Sequence, residues 1–352
     1  MRQFRRSTRA TPVFALGCLL GILSQVGAIH AEAVDFQGKQ IELVVSSAVG
    51  GGYDAYARFL ARHMGRFIPG NPTIVPKNMP GAGGRIAGNH LASRAARDGT
   101  SFGILQNTLT LDQLAKTANM NFDMRQLSWL GSMNVLSTLC VVSQHARLEA
   151  KEMLEKEFVV GASNAGSSLS IIPHVLNNLV GTKFKVVQGY AGTNEVLLAM
   201  ERNEMGGMCG WGWDSLRVQA LDLVERKVIR LALDIGTDAN SELKARGVPF
   251  VMDMVPEGNE KRALHLLLSP QNYGRPFAAP PGVPAGPLAV LRKAFRETLV
   301  DSAFLADAEK AKLQIEYSSP ELIESQIKAA FDAPPAVRER AISVLQKASN
   351  PR

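Results

Sequence analysis

Val49-Gly50-Gly51-Gly52-Tyr53-Asp54 and Asn78-Met79-Pro80-Gly81-Ala82-Gly83-Gly84 are the stretches of this sequence best equipped for chemistry. Successive glycines let the backbone turn tightly and aim its N–H groups outward. Where a helix follows such a turn, its dipole adds positive character to the same donors. The chemistry this favours is the holding of an anion. Each turn falls between a β-rich run and an amphipathic run, so both belong at the C-terminal edge of one parallel sheet, where open α/β sheets bind ligands.

Other chemistries fit less well. Gly50-x-Gly52-x-x-Ala55 satisfies a dinucleotide-binding pattern, which makes a dehydrogenase the enzymatic rival. That rival needs an acidic residue at the end of the next strand to hold a ribose, and the strand ends Pro76-Lys77-Asn78. No Gly-Lys-Ser/Thr phosphate loop occurs. His63, His90, His145, His174 and His265 lack metal-motif spacing, so no metal and no cofactor is expected. Gly161-Ala162-Ser163-Asn164-Ala165 misses the nucleophile elbow at its second glycine. Glu155 and Glu157 lie in a charged stretch that reads as a solvated face. The sequence therefore reads as a binding protein and not an enzyme.

The elements that must position the turns alternate in α/β fashion. Residues 41–47 read as the first strand and 53–67 as the first helix, with Tyr53, Tyr56, Ala57, Leu60, Met64 and Phe67 on one face. Strands at 73–75 and 101–105 flank a helix at 85–95. A second series follows, with strands at 135–143, 158–162, 185–188 and 208–211, and helices at 168–179 and 194–203. Strands are expected again at 228–233 and 263–268, then helices at 288–299 and 320–331.

The N-terminus has the layout of a secretory signal peptide, with Arg2, Arg5, Arg6 and Arg9 ahead of an apolar run and the small-residue segment Ala28-Ile29-His30-Ala31-Glu32-Ala33. Arg5-Arg6 and Ala15-Leu16-Gly17-Cys18 also suggest a twin-arginine signal and a lipoprotein box, but their surroundings fit neither. Removing residues 1–33 lowers the formal charge from +7 to +4, with 35 basic and 31 acidic residues left. So small an excess, without a basic cluster, argues against nucleic acid as partner. The 319 residues that remain exceed what one core usually holds, which predicts two lobes. Cys140 and Cys209 could pair in an oxidising compartment; two buried free thiols are the reading taken.

The two turns, together with Asp98-Gly99-Thr100, Gly189-Tyr190-Ala191-Gly192-Thr193 and Ala279-Pro280-Pro281-Gly282-Val283-Pro284, resemble the Bug-type solute receptors of tripartite tricarboxylate transporters in order and spacing. The resemblance implies a two-lobed α/β Venus-flytrap fold of the periplasmic-binding-protein type, with the ligand cleft between the lobes. It implies a monomer that binds a small organic acid in the periplasm and delivers it to an inner-membrane permease. A sensory receptor that signals to a membrane kinase is the alternative. Lobe 1 is expected to comprise residues 34–140 and 235–352, and lobe 2 residues 141–234.

By the same resemblance, Gly50, Gly51, Gly52, Tyr53 and Asp54, with Gly81, Ala82, Gly83 and Gly84, hold a ligand carboxylate through backbone groups and water. Asp54 can equally serve as a cap or loop brace. Gln106, Asn107 and Thr108 add polar contacts. The second lobe contributes Asn164, Ser167 and Ser168 (the serines being also good helix N-caps) and a turn with Tyr190, Gly192, Thr193 and Asn194. The chain departs from the family pattern at Ala191, where relatives carry lysine, at Gly210-Trp211-Gly212-Trp213-Asp214, and over 235–275. Of the pair Trp211 and Trp213, Trp213 is named for the cleft, where an aromatic ring could stack on a flat ligand; the alternative is that both belong to the core. Neutral donors suffice for an acid held this way, with no buried arginine required.

Overall fold

The computed structural model describes residues 34–146, 148–164 and 166–349. The expected signal peptide lies outside the described residues. The chain opens with β1 (Gln40–Val45), α1 (Gly52–Met64), β2 (Thr73–Asn78), α2 (Arg85–Ser93), β3 (Ser101–Ile104), α3 (Leu109–Leu114) and β4 (Ser128–Ser132). It continues through β5 (Thr138–Ser143), β6 (Phe158–Gly161), α4 (Ser168–Leu179), β7 (Phe184–Val187), α5 (Thr193–Glu201), β8 (Gly207–Gly212), α6 (Trp213–Gln219), α7 (Leu221–Glu225) and β9 (Ile229–Ile235). The last third holds α8 (Ser241–Ala245), α9 (Asn259–Leu268), β10 (Pro276–Ala279), α10 (Ala285–Val300), α11 (Ser302–Lys310), α12 (Pro320–Phe331) and α13 (Pro335–Ser349).

These strands form two five-stranded mixed sheets, ordered β2-β1-β3-β10-β4 and β7-β6-β8-β5-β9. In the first, β1 pairs in parallel with β2 and β3, and β10 runs antiparallel between β3 and β4. In the second, β6 is parallel to β7 and β8, and β5 is antiparallel to β8 and β9. Ile41, Leu43 and Val45 alternate into one face of the first sheet, where Tyr56, Ala57 and Leu60 of α1 and Leu291 and Phe295 of α10 cover them. Helices α9 and α13 lie against α4 beside the second sheet, packing Leu264, Leu267, Ala341 and Val344 with Val175 and Leu176. No helix of the described residues is long and apolar enough to cross a membrane.

Two expectations are corrected. Residues 263–268 are helical, the second half of α9. A short continuous apolar run fits a buried strand or a buried helix equally well; here the preceding Glu260, Lys261 and Arg262 carry the helix into it, and Ala263, Leu264, Leu266 and Leu267 are buried. Cys140 and Cys209 are joined in a disulfide rather than free. They stand opposite each other on β5 and β8, beside a register shift, a proximity that a sequence separation of 69 cannot reveal.

Candidate functional site

The turns at the C-terminal ends of the parallel strands of both sheets converge on one cavity of about 310 Å³. The β1–α1 turn enters through Gly50, whose positive φ suits glycine and whose N–H donates to the Asp54 carboxylate at 2.9 Å. Asp54 is buried and also accepts from Arg58 and from the Asn78 amide. Burial works to raise its pKa, but the bonds from Arg58, Gly50 and Asn78 prevail and hold it below the usual carboxylate range. Asp54 thus braces the turn from behind and does not line the cavity. Gly50, Gly51, Gly52 and Tyr53 do line it.

The β2–α2 turn presents Gly81, Gly83 and Gly84 to the cavity, while Ala82 is exposed and outside its lining. Gly83 is left-handed, with φ +64°, and a side chain there would meet the backbone of Gly166 at 3.0 Å. The turns of the two sheets therefore touch backbone to backbone. After β3 come Gln106, Asn107 and Thr108, all in the lining. The Asn107 amide donates to Pro270 O at 2.9 Å and its oxygen accepts from the Tyr53 hydroxyl at 3.1 Å, so both side chains are tied into the frame.

From the second sheet, the lining takes Asn164, Ser167 and Ser168 at the start of α4, and Gly192, Thr193 and Asn194 at the start of α5. Ser167 donates its hydroxyl to Asn164 O at 2.8 Å and caps nothing. Tyr190 packs with the hydrophobic core instead of the cavity. Trp213, too, lies in the core: its indole N–H donates to Glu242 at 3.0 Å and the Arg246 guanidinium stacks 5.5 Å from its ring. Trp211 stands in the cavity wall in its place. Residues 211 and 213 straddle the point where β8 gives way to α6, so strand alternation cannot fix both directions.

The lining also contains a buried arginine, unforeseen in the sequence. Arg275, just ahead of β10, pairs with Asp214 at 2.7 Å and donates to the Ser215 hydroxyl at 3.0 Å. Its guanidinium lies 4.5 Å from the Tyr53 ring and 5.1 Å from the Tyr56 ring. Burial would lower the Arg275 pKa, but Asp214 beside it wins and raises it. Gly52 fits because a side chain there would meet Ser215 Oγ at 2.6 Å and Arg275 Nη2 at 2.9 Å. The signal available in the sequence was a lone charge in the run Gly274-Arg275-Pro276-Phe277-Ala278-Ala279. Among the described residues no cluster of histidine, cysteine, aspartate or glutamate could hold a metal.

Two mixed α/β sheets whose connecting turns close on one cleft define a two-lobed periplasmic-binding-protein fold of the Venus-flytrap kind. The chain is similar to MatC from Rhodopseudomonas palustris with bound malate, at 18% identity and a TM-score of 0.64 over 87% of this chain and 98% of that one. It is similar to the periplasmic binding protein BugD, at 17% identity and 0.67 over 88% and 97%. A second R. palustris protein, solved with adipate, matches at 17% identity and 0.67 over 87% and 98%. Among protein-family models and curated proteins, nothing matches.

Proposed function

We propose that the chain is an exported, non-enzymatic solute-binding protein that captures a small organic acid between its lobes for the permease of a tripartite tricarboxylate-type transporter. The observation that carries this reading is the wall of the cavity. The N-termini of α1, α2, α4 and α5 all open into it through Gly51, Gly84, Ser167 and Gly192, and none has a side-chain cap. Four helix N-termini without side-chain caps, each the positive end of a dipole, suit a carboxylate. Arg275 adds a guanidinium to the same wall. The neighbours solved with malate and adipate support an acid as ligand. Capture proceeds by hinge closure, with one lobe swinging over an acid docked on the other. The dinucleotide reading loses further support because Asn78, at the end of β2, spends its amide on Ser47 O and Asp54.

The test is calorimetry on ligand-stripped protein against organic acids, sugars and amino acids. Micromolar or tighter binding of an acid is expected. Binding confined to sugars or neutral amino acids would overturn the reading.

A further inference from the structure

Strand β8 breaks its own alternation. Residues two apart on a strand face the same way, yet Cys209 packs in one apolar cluster with Cys140, Val142 and Ile172, and Trp211 in another with Leu139, Val141 and Met208. The reason is a bulge. Leu139 pairs with Trp211 and Cys140 with Cys209, which leaves Gly210 as an extra residue on β8. Gly210 has φ +86°, and a side chain on it would meet Ser168 O at 2.4 Å and Ile172 Cβ at 3.1 Å. The bulge is therefore where β8 touches the first turns of α4, and Gly210, Trp211, Ser168 and Ile172 all line the cavity. Bulges beside binding sites re-aim side chains in this way.

The apolar pattern holds this bulge only weakly. A one-residue slip turns every side chain to the other face, which is costly where that face meets water. Both faces here are buried and apolar, with Cys140 and Val142 in one cluster and Leu139 and Val141 in the other, so a slip keeps apolar residues in apolar surroundings. The ladder on the other side of β5 is irregular as well: Cys140 pairs with Leu233 and Val141 with Leu231, which leaves Ala232 over on β9. Cys140 thus stands between two bulges, and its covalent bond to Cys209 lies directly beside the extra glycine.

We infer that the Cys140–Cys209 disulfide is a register lock, and that with Gly210 it positions Trp211 and the N-terminus of α4 at the cavity. The inference rests on the proposed capture of an acid by helix N-termini and names what holds one of them in place. Cys140 and Cys209 are outside the lining and act through their neighbours as positioning residues.

The test compares wild type with three variants: Cys140→Ala combined with Cys209→Ala, Gly210→Ala, and Leu264→Ala as a control for lost stability, Leu264 being buried on α9 outside the lining. Calorimetry with malate, succinate, adipate and benzoate reads affinity, and thermal melts read stability. Amide hydrogen exchange, followed by mass spectrometry with no acid present, reads the protection of residues 168–172 and 207–212. The double cysteine variant and Gly210→Ala are expected to bind the best acid at least about tenfold more weakly and to exchange both segments at least about tenfold faster than Leu264→Ala, which binds as wild type does. If Gly210→Ala does not fold, the double cysteine variant carries the test. A double cysteine variant that loses no more affinity than Leu264→Ala, or exchanges both segments no faster, overturns the register lock and leaves acid capture standing. Wild type that binds none of the four acids counts against acid capture, and the exchange comparison then decides the lock by itself.

Discussion

The side chains of Arg275 and Asp214 are 5% and 3% exposed, and each depends on the other. Asp214 also accepts from the Asn134 amide at 3.0 Å, and that amide donates to the Tyr56 hydroxyl. Removing the cation alone leaves a carboxylate buried without its partner. Arg275→Met is therefore expected to lower the unfolding free energy by about 3–5 kcal/mol, and Arg275→Met with Asp214→Leu to recover part of that loss, both read from urea denaturation. A second buried carboxylate gives a pH signature. Asp234, at the end of β9, accepts from the Asn240 N–H at 2.8 Å, but its other oxygen has no partner among the described residues. Burial outweighs the bonds from Asn240 and Ile235 and raises its pKa from 3.8 to about 6. The folded protein then holds this proton more tightly than the unfolded chain does. The associated stability is complete below about pH 4 and lost as pH rises through about 6, a change on the order of 3 kcal/mol. Asp234→Asn should flatten that slope and make the protein more stable than wild type at pH 7.5 but not at pH 4. Identical slopes for the two proteins would contradict the shift. Neither carboxylate stood out in the sequence, because burial and pairing are tertiary facts. Arg275 escaped notice for the same reason, since a lone arginine has no spacing to betray it.

Helices α1 and α6 approach each other at their N-termini, with Gly52 against Ser215, and the β2–α2 turn meets the turn before α4 with Gly83 against Gly166. In the second contact a side chain on residue 166 would meet Gly83 Cα at 2.9 Å. Because both partners are backbone, neither can yield by rotating a side chain. Gly166→Ala is expected to hold the two turns apart and weaken ligand binding by about tenfold or more, mainly through faster release, while shifting the denaturation midpoint little. Stopped-flow release rates alongside denaturant melts check it; an unchanged release rate would count against contact between the turns as part of the bound state. The sequence revealed elements unevenly. The bounds of α4 and α12 match the expected 168–179 and 320–331, because both have Ser or Pro at the start and apolar residues at helical spacing. Residues 263–268 misled because five of six are apolar or small and show no period of their own. Strand β10 gave little warning, being four residues long and bounded by prolines at 276 and 280. The glycine-rich turns were legible because tight turns need glycine, whereas which neighbour each glycine touches was not.

The molecule is two sheets sharing one cavity, and its chain passes from one to the other between β4 and β5 and again between β9 and β10. Reach across that cavity was the least legible property of the sequence, since it depends on how Trp211, Arg275 and Glu195, far apart in the chain, come to line one space. The disulfide has a consequence of another kind. Cys140 and Cys209 close a covalent ring that contains β6, α4, β7 and α5. When the chain is stretched from its two ends, tension passes through the sulfurs and bypasses the ring. An oxidised molecule should therefore extend short of a reduced one by the contour of 69 residues, roughly 230 Å. Optical-trap pulling with and without a reductant measures that difference, and equal extensions in the two conditions would mean the ring is open. With the ring closed, the turns ahead of α4 and α5 that face the cavity belong to a loop that carries no load.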